Sequence, residues 1–104
     1  MIQYFLAATT FPFTTNLSNL AQIPLTTRYP AEGFALNTLA EMTVYILEGT
    51  VLFHQEGEEV TLTKGDVVLV ETNKKYFWEP KPQVTLLIFS TPPWTPEQSE
   101  VIKQ

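Results

Sequence analysis

His54 is the one imidazole in a chain of 104 residues that has no cysteine. A catalytic transition metal takes about three protein ligands drawn from His, Cys and carboxylates, and no His-x-His pair is present. The missing thiols exclude disulfides, thiolate catalysis and cysteine zinc sites, and they suit a reducing, cytoplasmic setting. No nucleophile elbow or phosphate-cradling glycine loop occurs. What remains is neutral polar and aromatic chemistry. Tyr76 and Trp78 stand two residues apart in a β-prone run, so alternation puts them on one face. A phenol on such a face can be a hydrogen-bonded core residue, a ligand contact or a general acid. His54 alternates with Val51 and Phe53 in a stretch apolar on both faces, and periodicity alone does not say which face points inward.

The elements that would position these residues are strands. Hydrophobic residues make up 44% of the chain and charged residues 16%, the balance of a packed globular domain rather than a disordered one. Strands are expected at Ile2–Ala8, Leu25–Tyr29, Phe34–Leu39, Met42–Glu48, Thr50–Gln55, Glu59–Thr63, Val67–Glu71, Tyr76–Glu79 and Val84–Ser90. Ala31-Glu32-Gly33, Glu56-Gly57 and Lys64-Gly65-Asp66 read as turns. Strands recurring every eight to twelve residues predict an all-β sandwich or barrel. Thr95-Pro96-Glu97-Gln98 has the signature of a capped helix start, which predicts a short helix over 96–103.

Several partners are excluded at this level. The net charge is −5, and of the six cations only Lys74 and Lys75 are adjacent. Nucleic-acid binding needs clustered cations to displace phosphate counterions, so no nucleic-acid partner is expected. No apolar run approaches the ~20 residues of a membrane helix, so no membrane partner is expected either. The apolar Met1–Ala8 stretch has no Lys or Arg ahead of it and reads as a first strand rather than a signal peptide. The acidic Glu56–Glu59 run reads as a solvated hairpin turn. Val84–Phe89 and Met42–Leu47 are apolar on both faces and need cover on both sides, which predicts a homodimer, with exchange of N-terminal strands as one form.

The stretch Glu41-Met42-Thr43-Val44-Tyr45-Ile46-Leu47-Glu48-Gly49, followed by Gly65-Asp66, resembles the two sequence blocks of the cupin superfamily. The likeness spans about residues 33–91, with an N-terminal strand segment at 1–32 before it. It implies one all-β domain over 1–104, an antiparallel jelly-roll (double-stranded β-helix) barrel closed by the short C-terminal helix. Cupins hold one metal through a His-x-His pair and a Glu in the first block and a further His in the second. By the spacing from Gly49 and Gly65, those places fall on Ala35 and Asn37 (or Leu36 and Thr38), on Met42 with Glu41 one residue off, and on Tyr76. The second-block Pro and Gly become Glu71 and Asn73, and the trailing Asn becomes Pro80; Asn tolerates the left-handed backbone that a Gly would supply. The resemblance therefore implies a cupin scaffold with its metal ligands replaced and no cofactor. It turns Val51 and Phe53 inward and His54 outward, and aims Tyr76 and Trp78 into the barrel with Asn37, Met42 and Phe34 completing a ligand-binding lining. The reading that follows is a metal-independent module for a small, partly apolar or carbohydrate-like molecule. The rivals are an isomerase, epimerase or cyclase using Tyr76 and Glu41 for protons, and a structural protein whose barrel is filled.

Overall fold

The computed structural model describes the backbone of residues 3–6, 19–92 and 94–103, and the side chains of 20–92 and 94–103. Eight strands follow in order: β1 (Gln3–Leu6), β2 (Asn19–Leu25), β3 (Phe34–Asn37), β4 (Glu41–Gln55), β5 (Glu58–Thr63), β6 (Asp66–Val70), β7 (Tyr76–Thr91) and β8 (Ser99–Ile102). All pairings are antiparallel, and β1 pairs with β6 of its own chain.

The spine is the pairing of the two long strands, which runs from Glu41 opposite Thr91 to Gln55 opposite Tyr76. The first half of β4 and the second half of β7 are flanked by β6 and β2; the other halves are flanked by β5 and β3. Between the halves the register slips twice, at Ile46/Glu48 and at Gly49/Val51. An extra residue in one strand bends it and moves the following side chains to the other face. The burial pattern records the switch. Met42, Val44 and Ile46 point inward before the slips, and Val51, Phe53 and Gln55 after them. Both halves consequently feed one core, joined by Leu62, Val68, Val70, Tyr76, Trp78, Val84 and Leu86.

These slips also correct the expected boundaries. Met42–Glu48 and Thr50–Gln55 are one strand, because the bulged backbone keeps pairing through Glu48-Gly49. Tyr76–Glu79 and Val84–Ser90 are likewise one strand, which carries Pro80 and Pro82 at the irregular corner where proline is tolerated. The expected strand at Leu25–Tyr29 ends instead at Leu25 and begins at Asn19; Pro24 is accommodated because, among the described residues, β2 pairs on one side only, with β7. Tyr29 joins the sheet separately, through paired backbone hydrogen bonds of 2.9 and 2.8 Å with Trp78. Of Ile2–Ala8, Gln3–Leu6 is strand and the rest lies outside the described residues.

The helix expected over 96–103 is a single 3-10 turn, Pro96–Gln98, followed by β8. Thr95 forms no side-chain cap. Gln98, which would have closed the capping box, is drawn into tertiary bonds: its Oε1 accepts from the Ala40 N–H at 2.7 Å and its carbonyl from the Thr38 N–H at 2.8 Å. The open edge of β3 then takes Ser99–Ile102 as a partner strand. Local helix signals lose to a sheet edge that offers four paired residues. The expected turns at Glu56-Gly57 and Lys64-Gly65 are present, and Asn73 adopts the left-handed backbone (φ 63°) required of it, with its N–H donating to the Asn37 carbonyl at 2.8 Å.

Candidate functional site

β7 carries Tyr76 and Trp78 inward and, after the corner, Leu86, Ile88 and Ser90 along the same wall. Met42 of β4 lies beside Ser90 in the ladder. β2 contributes Ala21, Ile23 and Leu25, and the rim is formed by Tyr29 and Trp94. Between them opens a cavity of about 240 Å³, space for roughly eight water molecules at ~30 Å³ each. Among the described residues no charged side chain lines it. The Trp78 ring is packed on Phe53, with centroids 4.2 Å apart, and Tyr76 lies 6.4 Å from the same ring.

The polar groups on the lining are few: the Tyr29 and Tyr76 phenols, the Ser90 hydroxyl and the Trp94 indole. Burial pushes the Tyr76 phenol well above the ordinary tyrosine range, and the nearby Tyr29 phenol pushes it further, while the Asn37 amide offsets this only in part. Tyr76 thus stays protonated and offers a hydrogen-bond donor. Asn37, 1% exposed, accepts the Trp94 indole N–H on Oδ1 at 3.0 Å. At hydrogen-bonding distance its Nδ2 has no partner among the described residues.

No protein-family model and no curated protein sequence matches this chain. Solved structures do. A Streptomyces Pac13 variant with uridine superposes with a TM-score of 0.76 at 13% identity, covering 98% of this chain and 78% of that one. Pac13, described as a nucleoside dehydratase, matches with a TM-score of 0.73. A cupin-2 domain protein from Shewanella frigidimarina matches with a TM-score of 0.67 at 11% identity, over 76% of this chain and 74% of that one. This chain has the cupin fold.

The places of the cupin metal ligands can now be tested for fit. They hold a methyl group (Ala35), a carboxamide whose oxygen is already engaged (Asn37), a thioether (Met42) and a phenol that resists ionisation (Tyr76). That donor set does not fit a tightly held transition metal. Among the described residues, no group of three or more His, Cys, Asp or Glu is placed to hold one.

The cupin interior brings together Asn37, Met42, Tyr76 and Trp78. It does not bring in Phe34 or Glu41. Ala35 and Asn37 take the inward positions of β3, so Phe34 faces outward against His54 and Phe77, with ring centroids 5.5 and 5.9 Å away. Glu41 is exposed at the start of β4, where alternation from buried Met42 turns it outward. His54 also faces outward, stacked on Phe77 at 4.7 Å with 8° between the planes, while Arg28 covers that ring at 4.0 Å. Its Nε2 accepts the Gly57 N–H and its Nδ1 faces Glu59 at 3.3 Å. That cluster lies apart from the cavity. Tyr29, Ser90, Trp94 and the β2 residues are the lining that sequence reasoning missed; only the Trp beyond Pro92-Pro93 carried a visible hint, a large aromatic at the end of the last long strand.

The phenol makes a testable point about pH. An ordinary tyrosine ionises near pH ~10, and Tyr76 ionises higher in the folded chain. Above about pH 10 the unfolded chain sheds this proton while the native one keeps it, so stability falls as pH rises. Denaturant titrations across the alkaline range should show a shallower decline for Tyr76→Phe than for wild type. Identical slopes would mean that Tyr76 ionises freely in the native state.

Proposed function

We propose that this protein binds a small, neutral, partly apolar or sugar-bearing ring molecule at the open end of its barrel. The observation that carries the reading is a cavity whose described lining is aliphatic and aromatic with a few polar groups and no charge, the usual composition of small-ligand sites. A filled barrel would leave no such space. At about 240 Å³ the cavity lies just below the common range for drug-sized ligands, which suits a compact molecule. A Pac13 variant of the same fold was solved with uridine, so nucleosides are the first class to try, with small sugars and simple aromatics beside them.

Binding is favoured over catalysis by what surrounds Tyr76. Among the described residues no carboxylate or imidazole lines the cavity, and the phenol is held protonated, a donor rather than a base. Thermal unfolding with and without each compound tests the reading. A ligand present at a hundred times its Kd stabilises by about 2.7 kcal/mol, a shift of several degrees for a domain this size. No shift with any nucleoside, sugar or aromatic compound, together with unperturbed NMR resonances for Met42 and Trp94, would remove it.

A further inference from the structure

The cavity has an inner wall and a lip, and their chemistry differs. Met42 and Ser90 are paired in the ladder between β4 and β7, and both are buried. Ser90 is 3% exposed, yet its hydroxyl opens on the cavity and makes no hydrogen bond among the described residues. The Tyr76 hydroxyl, on a residue equally buried, is the second polar group of this inner wall. Both hydroxyls donate and accept. A buried hydroxyl without a partner is costly and calls for one. The group that matches such a wall has the same double capacity, and a ligand hydroxyl has it.

The lip is apolar. Among the described residues five large apolar side chains stay exposed, and three of them, Ile23, Tyr29 and Trp94, stand on this lining. The sheet supplies the cause for Ile23. It lies opposite buried Leu86, but among the described residues β2 pairs only with β7, so no further strand covers it. Trp94 has its indole N–H engaged on Asn37 Oδ1, which leaves the opening only the apolar ring. Exposed apolar side chains gathered in one place mark a contact surface.

We propose that the site takes a ring alcohol carrying an apolar substituent, with the hydroxyl inward on Ser90 and Tyr76 and the substituent outward on Ile23, Tyr29 and Trp94. A free sugar is polar all round and matches only the inner wall. A plain hydrocarbon matches only the lip. An aryl or alkyl glycoside, or a substituted cyclic alcohol, satisfies both. The inference rests on the binding reading above and deepens it by giving the ligand's functional group and its direction in the cavity.

Para-substituted benzyl alcohols place the two features at opposite ends of one compact ring. Toluene lacks the hydroxyl of benzyl alcohol, and 4-ethylbenzyl alcohol adds a substituent on the far side. In chemical-shift titrations Ser90→Ala should weaken benzyl alcohol by about five- to tenfold, the scale of one lost hydrogen bond, and leave toluene unchanged. The para-ethyl group should tighten wild-type binding by about fivefold or more through its two added carbons. Ile23→Ser should remove most of that gain while benzyl alcohol still binds. Intermolecular NOEs in wild type report the direction: hydroxymethyl protons to the Met42 methyl, ethyl protons to the Ile23 methyls. Should either variant fail to fold, the NOEs decide. Equal weakening of benzyl alcohol and toluene by Ser90→Ala, or NOEs in the reverse sense, overturns the inference and leaves the pocket reading standing. The inference also falls alone if none of these probes binds while a nucleoside or a free sugar does. If nothing in either set binds, both fall.

Discussion

Trp78→Ala is expected to destabilise the protein by about 3–5 kcal/mol, the range for removing a large aromatic from a packed core. Domains of this size are stable by only ~5–15 kcal/mol in all, so the variant should lie near the edge of folding. The residue has two roles that predict different outcomes. As a platform for a ligand ring it would be solvated in the free protein and cheap to truncate. It is instead 2% exposed, its ring packed at a tilt against Phe53 with centroids 4.2 Å apart, and its backbone is tied to Tyr29 by two hydrogen bonds. Truncation would merge the space it vacates with the existing cavity, and β7 runs through the centre of the sheet with little freedom to collapse inward. Trp94, at the rim and 36% exposed, should cost far less on the same substitution. Urea unfolding of both variants checks the contrast. A loss below about 1.5 kcal/mol for Trp78→Ala would mean that its ring serves the cavity and not the core.

That contrast marks what alternation can and cannot reveal. The shared face of Tyr76 and Trp78 was legible because a strand repeats every two residues whatever surrounds it. The outward turn of His54 depended on the cupin resemblance, since Val51, Phe53, Leu52 and Val60 offer apolar neighbours on both faces. The change of inward parity in β4, from Met42-Val44-Ile46 to Val51-Phe53-Gln55, could not be read locally. It arises from slips in register against a strand more than thirty residues away. Phe34 faces outward because Ala35 and Asn37, which alternate with it, take the inward positions of β3. Tyr29 and Trp94 reach the cavity through contacts at sequence separations of 49 and 57, with Trp78 and Asn37 respectively. Their places are set by tertiary closure, which no local pattern encodes. The helix signal at Thr95 was sound as chemistry and lost to the open edge of β3, a competitor visible only in the folded sheet.

Gly49→Ala should cost about 3 kcal/mol or more, although the residue is exposed and buries nothing. Two effects add. Its backbone lies at φ 84°, where a side chain costs roughly 1–2 kcal/mol. A Cβ built there would also stand 2.2 Å from the Gln83 carbonyl oxygen and 2.9 Å from the Val84 Cα. Those are backbone atoms of the paired strand, so relief requires β4 and β7 to separate at the corner where both bend, and overpacking of that kind typically adds ~1–3 kcal/mol. Gly57 provides the control. It has nearly the same φ, 85°, in the β4–β5 turn, but a Cβ there meets nothing within 4 Å. Gly57→Ala should therefore lose only the conformational part, roughly 1–2 kcal/mol. The difference between the two losses measures the close approach of the strands at the corner. Equal losses in denaturant unfolding would mean that the corner yields freely. In that case the bend that carries Met42 and Trp78 into one core would have to be held elsewhere in the sheet.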